Sequence, residues 1–136
     1  MTIIIFILIL GALVFVHELG HFLMAKAFGI RVDEFALGFP PRLFKWKPKN
    51  SETTYSLNLL PLGGYVKIFG ENPDEASLKG PEKKRSLVSK PKYAQVLVLI
   101  AGIASNIVFA WLLISGGFMI GLPVSVGDRY ADAVRD

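Results

Sequence analysis

His17-Glu18-Leu19-Gly20-His21 sets two imidazoles four residues apart with a carboxylate between them. On a helix, positions four apart share a face, so both rings can reach one ion. Two neutral imidazoles with an oxygen ligand and a water make a catalytic zinc site. Glu18 is then placed as general base toward the water activated there. His17 and His21 are the candidate metal ligands, Glu18 the candidate catalytic residue, and Zn2+ the expected cofactor. The chain has no cysteine, so thiolate metal sites and disulfides are excluded.

The elements that must hold these groups are strongly apolar. Of 136 residues, 52% are hydrophobic and only 19% are charged. That composition excludes intrinsic disorder and argues against an ordinary water-soluble domain. Thr2–Val16 and Ala94–Ser125 contain no charged residue. The run from Ile3 to Ile30 predicts a helix of about 40 Å, longer than a hydrocarbon layer of about 30 Å. Gly29 is placed to end it as a C′ residue. No Lys or Arg precedes this run, so it reads as a retained helix rather than a secretory signal. His17 lies about 21 Å along its axis from Ile3, at a depth where ionisable groups need a partner or a wet cavity. Residues 94–122 predict the second spanning helix, with Pro123 after it and a short tail over 123–136.

Residues 31–93 are polar and broken by prolines. Strand-like runs occupy Glu34–Phe39, Arg42–Lys47 and Thr53–Phe69. The last contains Pro61 and Gly63-Gly64, which predict a bent hairpin or an edge strand. The charged stretch Glu71–Ser89 reads as a mobile linker. The fold expected is an α-helical membrane protein, with two transmembrane helices flanking a small cytoplasmic, membrane-reentrant β region.

Basic residues set the expected orientation. Arg31, Arg42, Lys45 and Lys47 follow the first apolar run, six more lie between Lys79 and Lys92, and Arg129 and Arg135 lie beyond the second run. This asymmetry predicts a cytoplasmic middle segment, extracytoplasmic termini and residence in the cell (inner) membrane. It also assigns the net charge of +4 to topology and lipid headgroups rather than to nucleic acid. Trp46 and Tyr93 are expected to anchor at the interface.

Three segments, FVHELGHFLMAKAFGIRVDEFALGF, YSLNLLPLGGYVKIFGE and AGIASNIVFAWLL, occur in that order. Together they resemble the N-terminal part of the site-2 proteases, intramembrane zinc metalloproteases of the bacterial regulator of sigma-E type. The resemblance implies that His17 and His21 bind zinc, that Glu18 is catalytic, and that Asn106 lies near the active site. It also implies that Leu57–Phe69 is a membrane-reentrant hairpin that contacts substrate. Two positions depart from the family pattern: Pro40 replaces a Gly, and Ile103 replaces a Pro.

A protease working on a membrane helix must hold its substrate unwound, because helical peptide bonds are shielded by their own hydrogen bonds. An exposed strand edge can do so by β-augmentation. Leu59, Leu60, Gly63, Gly64, Tyr65 and Asn106 are the candidate substrate contacts. The repeat Gly102, Asn106, Ala110 is expected to face the first helix near His17 and His21. The family takes its third zinc ligand from an Asp in a later membrane helix. Here Asp128, Asp132 and Asp136 lie in a polar tail. A C-terminal half or a partner chain is therefore expected to supply an Asp ligand, and this chain alone is expected to be inactive. The alternative is a non-catalytic membrane scaffold or regulator derived from such a protease. A soluble zincin is the further rival, opposed by the two long uncharged runs.

Overall fold

The computed structural model describes residues 1–121. Helix α1 spans Thr2–Ala27. Strand β1 (Val32–Trp46) and strand β2 (Thr54–Ile68) follow. A short helix α2 (Glu75–Lys79) and two 3-10 turns, Lys83–Arg85 and Leu87–Ser89, lead into helix α3, Lys92–Ile120. Helices α1 and α3 are long and apolar enough to cross a membrane.

Helix α1 stops three residues before the end of its apolar run. Phe28 caps it and Gly29 adopts φ 64°. The Ile30 amide then donates to the Ala25 carbonyl and the Gly29 amide to the Lys26 carbonyl, the paired bonds of a Schellman ending. Gly29 thus takes the C′ role expected of it. Helix α3 begins at Lys92, two residues earlier than expected, and Gly121 ends it with φ 80°. Leu122, Pro123 and the tail aspartates lie outside the described residues.

β1 and β2 pair antiparallel, with Val32 opposite Ile68 and Leu37 opposite Gly64. The far half of β1 pairs antiparallel with the near half of β2, Trp46 opposite Tyr55 and Arg42 opposite Asn58. Both strands bend in the middle, so Glu34 also meets Thr54 and Leu37 also meets Leu57, a ladder in which both numbers rise together. The sheet therefore runs in the order Arg42–Trp46, Tyr55–Asn58, Glu34–Leu37, Gly64–Ile68. Thr53–Phe69 is not a hairpin paired with itself. Its first half lies inside the sheet, and Gly64–Ile68 forms an outer edge with a strand partner on one side only among the described residues. Pro61 lies in the bend, where no interior ladder bond is lost.

The core sits where α1 ends, the sheet begins and α3 starts. Ala25, Ile30, Val32, Phe35, Val66, Ile68, Leu87 and Val98 are buried together. The stretch Glu71–Ser89, expected as a mobile linker, is folded against this core. Asp74 caps α2 in a capping box with Ser77. Leu87 is buried, its amide donates to the Phe69 carbonyl, and the Arg31 amide donates to the Arg85 carbonyl. Of the few apolar residues in this charged run, Leu87 is the one that enters the core, which is why charge density alone misleads here.

An ion-pair group fastens this stretch to α1 and to the turn between the strands. Glu52 accepts from Lys26 at 2.8 Å and from Arg85 at 2.5 Å, while Arg31 pairs with Asp33 and Glu82. Hydrogen bonds from Arg85 and Lys26 hold the Glu52 carboxyl at about 2, below its ordinary 4.5. Because the folded value is depressed, this contribution to stability is complete above about 4.5 and is lost as the pH falls from there toward about 2. Glu52→Gln is expected to lessen the drop in unfolding temperature between about pH 6 and about pH 3, followed by circular dichroism in detergent. An equal drop in parent and variant contradicts the assignment.

Candidate metal centre

Helix α1 carries His17 and His21 on the face that meets α3. Their Nε2 atoms lie 3.2 Å apart, with the ring planes at 79°. His21 Nδ1 donates to the Val98 carbonyl at 2.7 Å. A carbonyl can only accept, so this bond places the His21 proton on Nδ1 and leaves Nε2 as the free lone pair. His17 Nδ1 lies 3.4 Å from the side-chain amide of Asn106. Both histidines are thus held from behind by α3, with their Nε2 atoms turned toward one another.

Space for this pair comes from Gly102. A Cβ there would lie 2.7 Å from His17 Cε1, 2.8 Å from His17 Nε2 and closer still to His21 Nε2. The helices can approach because Gly20 plays the matching part on α1: a Cβ there would stand 2.5 Å from the Ala101 carbonyl oxygen. The expected stripe of Gly102 and Asn106 does face the histidines, whereas Ala110 is exposed.

Glu18 and Gly64 line two neighbouring cavities, one bordered by His17 and the other by His21. One, of about 320 Å³, is also bordered by His17, Asn106, Phe39, Gly63 and Gly64. The other, of about 270 Å³, is bordered by His21, Gly64, Tyr65, Glu71 and Leu87 as well. The sheet backbone at Gly64 passes so near that a Cβ would be 3.0 Å from Glu18 Cγ. Of the residues proposed for substrate contact, Asn106, Gly63, Gly64 and Tyr65 border these cavities. Leu59 and Leu60 do not: they sit at the bend of β2 with exposed side chains.

The donor set fits a zinc ion on the side-chain evidence. Two nitrogens bound to one tetrahedral zinc stand about 3.3 Å apart, close to the 3.2 Å here. Among the described residues no third His, Cys, Asp or Glu joins them in a metal-holding group. Sequence reasoning missed two participants. The Val98 carbonyl carries no side-chain signal, and Glu71 sat in the stretch read as a linker.

Comparison with known proteins gives the family. The model of peptidase family M50 matches residues 5–134. This chain belongs to peptidase family M50, the site-2 protease family. The zinc metalloprotease RasP of Geobacillus kaustophilus is 46% identical over 98 residues, 72% of this chain and 23% of the relative. The regulator of sigma-W protease RasP of Bacillus subtilis is 50% identical over 78 residues, 57% of this chain and 18% of the relative. A Thermotoga maritima relative is 43% identical over 126 residues, 93% of this chain. The chain spans about a quarter of the length of these relatives or less. A metalloprotease family, zinc as its metal and association with a membrane follow from these matches and the two apolar helices.

Gly102→Ala is expected to drive the two Nε2 atoms apart and to weaken zinc binding by about tenfold or more, as other losses of support around a ligand do. Chelator competition on the full-length protein measures it. Unchanged affinity contradicts the seat assigned to Gly102.

Proposed function

We propose that this chain is the metal-binding part of an intramembrane zinc metalloprotease that cleaves single-pass transmembrane proteins. The observation that supports it best is the 3.2 Å approach of His17 Nε2 and His21 Nε2, beside cavities lined by Glu18 and by a strand edge that is unpaired among the described residues. In this reading α1 and α3 span the cell (inner) membrane. Their outward side chains suit lipid: Ile3, Leu8, Leu23, Ile107, Trp111 and Phe118 are all exposed. The basic residues put the segment between the helices on the cytoplasmic side. The apolar bends of the sheet, with Phe39, Leu43, Leu59 and Leu62 exposed, suit contact with the bilayer in the same reading.

His17 and His21 hold the metal through Nε2. When bound, zinc supplies Lewis acidity, which polarises a peptide carbonyl and acidifies water. Glu18 takes a proton from the attacking water and returns it to the departing amide nitrogen, which is why it must border the cavity that receives the peptide. Gly64–Ile68 offers its free backbone groups to an extended substrate strand, opposing the return of the cut segment to a helix. Gly63 and Gly64 keep that strand close to Glu18. A third ligand, an Asp in the family this chain resembles, comes from outside residues 1–121, either from further chain or from a partner.

Glu18→Gln in the full-length protein is expected to lower cleavage of a transmembrane substrate by about a hundredfold or more, while zinc content stays at the parent level. Unchanged proteolysis overturns the role given to Glu18. A parent protein that binds zinc but cuts no membrane substrate favours the scaffold reading instead.

A further inference from the structure

Asn106 is held at the site by one contact, and that contact leaves a buried atom unanswered. Its amide lies 3.4 Å from His17 Nδ1, and its Oδ1 is buried without a hydrogen-bond partner among the described residues. A buried polar oxygen without a donor is rare and calls for an explanation. Two arrangements of protons are open to this group. In the first, the Asn106 amide N–H donates to His17 Nδ1, so the His17 proton sits on Nε2 and points at His21 Nε2. That arrangement orphans Oδ1 and blocks one of the two metal-binding lone pairs. In the second, the amide is turned by half a rotation, and Oδ1 accepts from His17 Nδ1–H. The oxygen is then satisfied, the amide NH2 takes the place Oδ1 had, and His17 Nε2 becomes a free lone pair like that of His21.

Resting on the zinc-site reading above, we propose that Asn106 is a positioning residue whose side-chain oxygen accepts from His17 Nδ1–H and so selects the tautomer that can bind zinc. The Val98 carbonyl performs the same service for His21, at 2.7 Å. Both second contacts come from α3, two turns apart, on either side of Gly102. Helix α3 therefore sets the tautomers of both ligands while α1 supplies the rings. A backbone carbonyl cannot be turned round, but an amide can, so the Asn106 contact is the adjustable one. Its donor orientation ties the two imidazoles to each other, and its acceptor orientation opens them to the ion.

The two orientations respond oppositely to substitution, which makes them separable. Asn106→Asp keeps acceptor oxygens and removes the donor, whereas Asn106→Leu removes both. Zinc affinity of the full-length protein, by chelator competition, is expected to fall by about tenfold to a hundredfold in Asn106→Leu and to stay near the parent value in Asn106→Asp. The visible absorption of the cobalt-loaded proteins is expected to keep its tetrahedral intensity in Asn106→Asp and to lose it in Asn106→Leu. Parent-like affinity in Asn106→Leu overturns the proposal. So does a loss in Asn106→Asp as large as that in Asn106→Leu, because it assigns the amide as donor. Should Asn106→Leu fail to fold, the Asp variant alone decides between acceptor and donor. A parent protein that takes up no zinc overturns the metal-site reading itself, and is recognised before any variant is compared.

Discussion

Gly20 and Gly102 allow α1 and α3 to come so close that a methyl group at either position would collide with the opposite helix. Everything at the site depends on this approach. The imidazoles of His17 and His21 are long enough to reach the backbone of α3, and there they find the Val98 carbonyl and the Asn106 amide. In surroundings this apolar, an N–H without an acceptor is costly. The close packing therefore answers the back nitrogens of both rings and presents the front nitrogens as a pair. Small residues serve helix association between apolar surfaces in the usual way, but here the same absence of side chains also makes the seat for the ligands.

The sheet contributes by a second constraint, its bends. Because β1 and β2 each turn back midway, two chain segments build a sheet whose outermost member is Gly64–Ile68. That member lies along Glu18 and His21 instead of in the interior. Its position is secured from the far side by the shared core of Ile30, Val32, Val66, Ile68 and Val98. The folded stretch after β2 adds Leu87 to that core and is tied to α1 through Glu52, Lys26 and Arg85. A free edge is ordinarily a hazard, since it invites pairing with other chains. Beside a candidate hydrolytic centre, the same property is what the proposed presentation of an extended peptide would use.

Membership of peptidase family M50 and the internal geometry concern different levels of the same chain. The family match rests on residues 5–134 as a string, while the paired Nε2 atoms and their supports on α3 are facts of three dimensions. Arg42 and Ser56 both bond to Glu34 within the sheet, so charge on this region is engaged in holding its shape as well as lying at its surface.

The sequence by itself determined the candidate ligand pair, its neighbouring carboxylate, both long apolar helices, the ending of α1 at Gly29 and the strand character of β1 and β2. Those features are local: helical spacing, uncharged length, cap chemistry and alternation are all written within a few turns of chain. Only the tertiary structure decided that Glu71–Ser89 packs, that the edge near Glu18 is Gly64–Ile68 and not Leu59-Leu60, and that Gly102 and the Val98 carbonyl shape the site. A glycine's lack of a side chain and a carbonyl's lone pair look the same in every sequence position. Their meaning depends on which distant group arrives beside them, and that is set by how closely two helices pack and where two strands bend.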